Sequence, residues 1–308
     1  MRLEPTRCAH SLLRMPLVSV ILPTRDRPTL FGRAVASVLA QSEADLELIL
    51  IDNNRQTAPL AQQREVQIWR TDRRVNMVRA ADSPNAAAAR NAGLAIARSE
   101  WIAFLDDDDA YLPEKLSQQL RRANEVNSPL VVCGARVHLH RRTRSVQTDT
   151  TEFKGDELLN RARWNTPLLL HRRVPGLYFD ERLSAGEDGH YAQRLLAHWN
   201  ADRVPNVNRP MVEIYQDEWT RSRTNLRADG GWQAARLTWR QYGGRFTPRA
   251  RKIFVLRALM ARAKLRGQVR QCVALVPPLL RAGGTDQIRF ALNACLVAAG
   301  IGRSRLVT

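Results

Sequence analysis

The sequence predicts an α/β protein, an open, twisted, mainly parallel sheet flanked by helices and Rossmann-like in plan, followed by a helical and strongly basic C-terminal segment. Two observations carry this. Over the first 130 of the 308 residues, short apolar runs alternate with stretches of helical periodicity, the pattern of strand and helix units that set parallel strands side by side. The formal charge of +18 is gathered at one end: residues 221–308 hold 18 Lys and Arg against Asp229 and Asp286 alone, so the first 220 residues are nearly neutral.

Taken in order, residues 17–22, 46–51, 75–79 and 101–105 read as strands, and 130–133 continues the series. Each is an apolar run of strand length. Residues 29–41, 85–98 and 113–125 read as helices between them. Ser83 before Pro84 predicts the start of the second helix, a capping hydroxyl with proline at the first helical position. From about Gly134 the pattern is less regular, with a basic stretch at 136–144 and short apolar pieces at 167–170 and 210–215, as expected of a part that shapes a pocket. Beyond Asp229 it is helical, with breaks expected at Gly243-Gly244, Pro277-Pro278 and Gly283-Gly284. The expected organisation is a disordered extension or misplaced start over 1–14, an α/β domain over 15–220 and a helical basic region over 221–308.

Several classes are excluded by composition. No stretch approaches the roughly 18–20 apolar residues of a membrane-spanning helix; residues 273–280 and 291–301 are the longest candidates. Residues 1–14 carry Arg2, Arg7 and Arg14 without the apolar core of a signal peptide. Cys8, Cys133, Cys272 and Cys295 have no close pairs and no metal-ligand spacing, which points to a reducing, cytoplasmic compartment. The basic tail is drawn to polyanions. It lacks aromatics interleaved at regular spacing and matches no zinc, homeodomain or RNA-recognition pattern, so no specific nucleic acid is expected. An anionic membrane surface, reached through residues 221–308, is the favoured partner, placing the protein peripherally on the inner membrane face.

Ligands of open parallel sheets bind at the carboxyl ends of the strands. Here these ends carry Pro23, Thr24, Arg25 and Asp26, then Asp52, Asn53 and Asn54, then Asp106 to Asp109. Singly, each could be a turn or a helix cap. Together they converge on one rim. The four adjacent carboxylates at 106–109 repel one another at neutral pH unless something positive sits among them. Hard oxygen ligands suit a divalent cation, Mg2+ or Mn2+, and the absence of a His or Cys cluster nearby disfavours zinc.

The chain resembles the family 2 glycosyltransferases of the GT-A fold. The resemblance rests on the opening strand through Pro23-Thr24-Arg25-Asp26, on Ala89-Arg90-Asn91-Ala92-Gly93, on Leu105-Asp106-Asp107-Asp108 followed by Pro113-Glu114-Lys115-Leu116, and on Phe179-Asp180-Glu181 leading to Glu187-Asp188. It implies that Thr24, Asp26 and Asp52 line the nucleotide pocket, with Asp52 facing the base and Arg90 also serving the nucleotide. It further implies that Asp106 approaches the ribose, that Asp108 binds the metal and that Asp188 is the general base. The implied reaction is inverting transfer from a nucleotide-diphospho-sugar to a saccharide or lipid-linked acceptor, in cell-surface polysaccharide or glycolipid synthesis. Two positions depart from the family pattern. Asp52-Asn53-Asn54-Arg55 lacks its second acid and glycine turn, and Tyr215 to Trp219 lacks its late histidine, leaving Glu218 and Trp219 without an assigned role.

The alternatives are a sugar nucleotidyltransferase and a nonenzymatic polyanion binder that uses the basic tail. The former needs a glycine-rich phosphate loop after the first strand, which Pro23-Thr24-Arg25-Asp26 is not. A dinucleotide oxidoreductase is excluded because the first half holds no G-x-G-x-x-G.

Overall fold

The computed structural model describes residues 15–25, 31–54, 69–80, 83–139, 142–146, 150–162, 164–216, 224–283 and 287–299. The chain runs β1 (Val18–Thr24), α1 (Phe31–Leu39), β2 (Leu46–Asp52), β3 (Val75–Arg79), α2 (Ala86–Ile96), β4 (Trp101–Phe104), β5 (Ala110–Tyr111), α3 (Lys115–Glu125) and β6 (Leu130–Leu139). It continues through β7 (Arg142–Val146), β8 (Glu152–Lys154), the single turn α4 (Glu157–Asn160), β9 (Leu170–Arg172), α5 (Glu187–His198) and β10 (Arg203–Gln216). Four helices close it: α6 (Thr224–Tyr242), α7 (Pro248–Leu265), α8 (Val269–Gly283) and α9 (Ile288–Ala298).

The strands form an open sheet in the order β3-β2-β1-β4-β9-β6-β10-β5. The first four strands are mutually parallel, and β6 and β10 pair in parallel beyond them. The short β9 is antiparallel to both β4 and β6, so β6 keeps the direction of β4 without touching it. Apolar residues occupy both faces of β1 and β2, as a sheet covered on both sides requires. Val18, Val20 and Leu22 pack with Phe31, Val35 and Val38 of α1 and with Leu116 and Leu120 of α3. Ile21, Ile49 and Ile51 point the other way, toward α2 and toward Tyr191, Leu195 and Leu196 of α5. A separate small core joins α7, α8 and α9 through Met260, Cys272, Leu279 and Ala294.

Three local expectations are corrected. Asn85, not Ser83, caps α2: its backbone is extended and its side chain accepts from the Ala88 N–H. Pro84 therefore lies outside the helix. Residues 134–139 and 142–146 are regular strand, because β6 runs on to Leu139 and pairs antiparallel with β7. Pro277 and Pro278 lie within α8 rather than ending it. Pro277 is exposed, and burial of Cys272, Leu279 and Ala282 on the other side holds the helix together. The break falls earlier, at Gly267 (φ +68°), where the N–H groups of Gly267 and Gln268 turn back to the carbonyls of Lys264 and Ala263 and close α7. The expected break at Gly243 is present as a short 3-10 turn.

Candidate active site

The rim begins where β1 and β2 end in register, Thr24 opposite Asp52. The Thr24 hydroxyl donates to Asp107 (2.9 Å), which also accepts from the Arg25 N–H, so the first strand end is tied to the acidic run. Asp52 is buried; it accepts from the Asn54 N–H (3.1 Å) and pairs with Arg79 at the end of β3 (2.8 Å). Asn54 thus closes the turn left without the glycine, and Arg79 is a rim residue that the sequence reading missed. Asp26 lies outside the described residues.

Side chains along the acidic run alternate. Asp107 and Asp109 are buried, while Asp106 and Asp108 are half-buried. Asp109 turns inward and accepts from the Tyr215 N–H of β10 (3.0 Å). Burial, together with the neighbouring Asp106 and Asp108 carboxylates, pushes its pKa well above the usual carboxylate range. Asp106 and Asp108 are the more accessible pair. Around it stand groups with no sequence signal: the Arg33 guanidinium of α1 donates to the Asp108 carbonyl (2.5 Å) and lies 3.5 Å over the Tyr215 ring. The His138 ring stacks on Tyr215 at 4.5 Å. Tyr215 opens the stretch that departs from the family pattern; Glu218 and Trp219 lie outside the described residues.

Arg90 joins the rim to the second half of the site. Its side chain is only 6% exposed, and it pairs with Asp106 at 2.6 Å and with Glu187 at 3.1 Å. Burial disfavours its charge, but Asp106 and Glu187 outweigh that and hold its pKa above the ordinary arginine value. The rest of the motif is explained by packing. Asn91 donates to the Phe179 carbonyl and accepts from its N–H, pinning the segment that leads to α5. Gly93 faces β1 so closely that a Cβ there would sit 2.5 Å from Ile21.

Asp188 lies in the first turn of α5, behind Gly186, whose φ of +74° suits glycine. It accepts from the Gly189 N–H at 2.7 Å. Burial, then the adjacent Glu187 carboxylate, pushes its pKa up to about 7, with Arg90 opposing. A carboxylate poised there can take and return a proton at neutral pH. Helix α6 braces this turn: a Cβ on Gly186 would sit 2.9 Å from Ala234, and one on Gly230 would sit 2.4 Å from Ser184. His190 of α5 donates to Gln241 at 2.9 Å.

Asp188 lines a polar cavity of about 260 Å3 together with residues of the α4 turn and Arg257 of α7. A larger cleft, about 840 Å3, lies beyond Asn91 and holds none of the acidic run.

Among the described residues no three His, Cys, Asp or Glu side chains converge on one ion position. The donor set still fits a hard cation shared with a ligand, since Mg2+ is usually held by one or two carboxylates plus substrate phosphates. The half-buried Asp106 and Asp108 are oxygen donors of that kind, and the like-charge crowding that raises Asp109 is what a cation relieves.

The family model described as glycosyl transferase family 2 matches residues 19–176. The chain is 37% identical over 107 residues to the putative teichuronic acid biosynthesis glycosyltransferase TuaG of Bacillus subtilis, a stretch covering 34% of this chain and 41% of TuaG. It is 35% identical over 114 residues to the GalNAc(5)-diNAcBac-PP-undecaprenol beta-1,3-glucosyltransferase of Campylobacter jejuni, covering 36% of each. The chain thus spans about two fifths of the length of these relatives. Its fold is shared with S. aureus TarS 1-349 in complex with UDP-GlcNAc, at TM-score 0.62 and 14% identity over 92% of this chain and 89% of that one. It is shared also with the mannosyltransferase PcManGT of Pyrobaculum calidifontis in complex with GDP-Man and Mn2+, at TM-score 0.58 and 15% identity over 94% and 87%.

Proposed function

Because the chain belongs to glycosyl transferase family 2, we propose that it transfers a sugar, with inversion, from a nucleotide-diphosphate carrier to an acceptor hydroxyl in building a cell-surface polysaccharide or glycolipid. The observation that carries this reading is the Arg90 bridge. It joins Asp106, on the strand-end rim, to Glu187, the neighbour of Asp188, so that a donor-binding edge and a neutral-pH base belong to one cluster.

Thr24, Asp52 and Asp106 form the nucleotide edge, Asp106 toward the ribose. Asp26 belongs to the same edge by resemblance. Asp108 would hold Mg2+ or Mn2+, which when bound would offset the negative charge that develops on the leaving diphosphate. Asp188 accepts the acceptor hydroxyl's proton as the acceptor oxygen bonds to the anomeric carbon. The bond from that carbon to the diphosphate oxygen breaks in the same displacement, and the nucleoside diphosphate leaves with the electron pair. TuaG and the Campylobacter glucosyltransferase, by their names, support a saccharide or lipid-linked acceptor.

The protein works on the cytoplasmic face of the membrane, held there by residues 221–308. Val269 and Val273 of α8 and Ile288, Leu292 and Leu296 of α9 are exposed at helical spacing in this arginine-rich region, and no helix among the described residues is long and apolar enough to cross a membrane. The decisive test is a screen of nucleotide sugars for nucleoside diphosphate release, with Asp188→Asn beside the parent. The variant is expected to bind donor and to lose transfer by about 10²–10⁴-fold. Unchanged turnover would remove Asp188 from the mechanism.

A further inference from the structure

The cavity beside Asp188 is lined by Asn160, Arg161, Trp164, Asn165 and Arg257. Its volume, about 260 Å3, is just below the range of about 300–1,000 Å3 for sites that enclose drug-sized ligands. It therefore suits a single sugar unit better than a chain.

Its charges are not balanced. Arg257 reaches in from α7; it donates to the Asn160 carbonyl at 2.6 Å and lies 4.6 Å over the Phe290 ring of α9. Among the described residues it makes no ion pair with a carboxylate, whereas Arg90 has two such partners and the exposed Arg161 is paired with Glu157. Burial lowers its pKa, yet a guanidinium stays charged at any accessible pH. A partly desolvated cation without a counter-charge is costly, and most of its five N–H donors remain for a ligand. The Asn160 Oδ1 beside it is buried without a donor among the described residues.

We infer that this cavity is the acceptor subsite and that it selects an acceptor carrying an anionic group, a phosphate or a carboxylate. Arg257 binds that group through paired N–H donors, Asn160 Oδ1 takes a hydroxyl of the same sugar, and the attacking hydroxyl is left facing Asp188. The inference rests on Asp188 being the base of a glycosyl transfer. It makes Arg257 a specificity residue supplied by the C-terminal helices.

Two matched acceptor pairs test it with the donor found by the screen: 4-nitrophenyl glucuronide against the glucoside, and 4-nitrophenyl N-acetylglucosaminide 6-phosphate against its unphosphorylated form. One charged member is expected to be preferred by roughly tenfold or more in kcat/KM, the scale of a hydrogen bond to a charged group; which pair responds identifies the anion. Arg257→Gln should lower that preference to near unity, while Arg257→Lys, which keeps the charge, retains much of it. Inorganic phosphate, titrated calorimetrically, should bind the parent and bind Arg257→Gln more weakly. Equal use of charged and neutral acceptors in both pairs, or a preference surviving in Arg257→Gln, overturns the inference. If Arg257→Gln fails to fold, the parent's preference and the Arg257→Lys variant decide it. Arg257-dependent phosphate binding without transfer from any donor would overturn the glycosyl-transfer reading and leave the anion site standing.

Discussion

Replacing Arg90 by Gln removes the cation that Asp106 on the rim shares with Glu187, the neighbour of Asp188. Breaking a buried ion pair costs about 3–5 kcal/mol because a carboxylate is left uncompensated. Asp106 is 35% exposed, so its share is discounted to about 1 kcal/mol or less. The side chain of Glu187 is 17% exposed and that of Arg90 only 6%, so most of the loss arises on that side. The total is about 3 kcal/mol, and at roughly 2–4 °C per kcal/mol the thermal midpoint should fall by about 6–12 °C. A second effect is specific to the chemistry. Burial and the Glu187 carboxylate push the Asp188 carboxyl up to about 7, with Arg90 opposing, so for the proposed base kcat/KM should fall below that pH. Without Arg90 the carboxyl should rise further, moving that limb up by about 1–2 pH units. The sign for stability is fixed by the same shift. A carboxyl whose pKa is raised by folding contributes stability in full below the ordinary carboxylate range and loses it as pH rises through about 7. Differential scanning fluorimetry and a pH–rate profile measure the two effects, with Arg90→Lys recovering part of the limb. A midpoint within 2 °C of the parent, about half a kcal/mol, together with an unmoved limb, would refute the coupling.

Asp108→Ala should weaken donor binding in Mn2+ to the level seen in chelator, read by calorimetry; equal binding in both conditions for parent and variant would sink the metal assignment. Gly93→Ala forces a methyl against Ile21 and should cost about 1–3 kcal/mol, visible as a lower denaturant midpoint with unchanged m-value. The full chain should sediment with vesicles containing anionic phosphatidylglycerol and be released by salt, and paired Leu292→Ser and Leu296→Ser changes should weaken it further. Equal sedimentation with neutral vesicles would contradict an electrostatic attachment.

The first half of the fold was legible because parallel strands buried on both faces are written as largely apolar runs, as β1 and β2 are. The sequence also marked the acidic rim, since carboxylates crowded at a strand end have few structural uses. It could not divide their labour. Whether an Asp turns in or out depends on partners far away in the chain, Thr24 for Asp107 and Tyr215 for Asp109. Arg33, Arg79 and Arg257 went unread for the same reason: arginine is common throughout this chain, and only tertiary position separates them from the rest. Short β9, three residues set between β4 and β6, carries too little pattern to be seen. The prolines of α8 misled because local propensity was outweighed by packing on the opposite side of the helix.

The glycines at 186 and 230 have a mechanical consequence. At both positions only a small side chain, Ala234 opposite Gly186 and Ser184 opposite Gly230, separates α6 from the turn that carries Asp188, so there is little compliant material between them to absorb a shift of α6. A pull on the C-terminal helices would therefore be felt at Asp188, the residue proposed above as the proton acceptor.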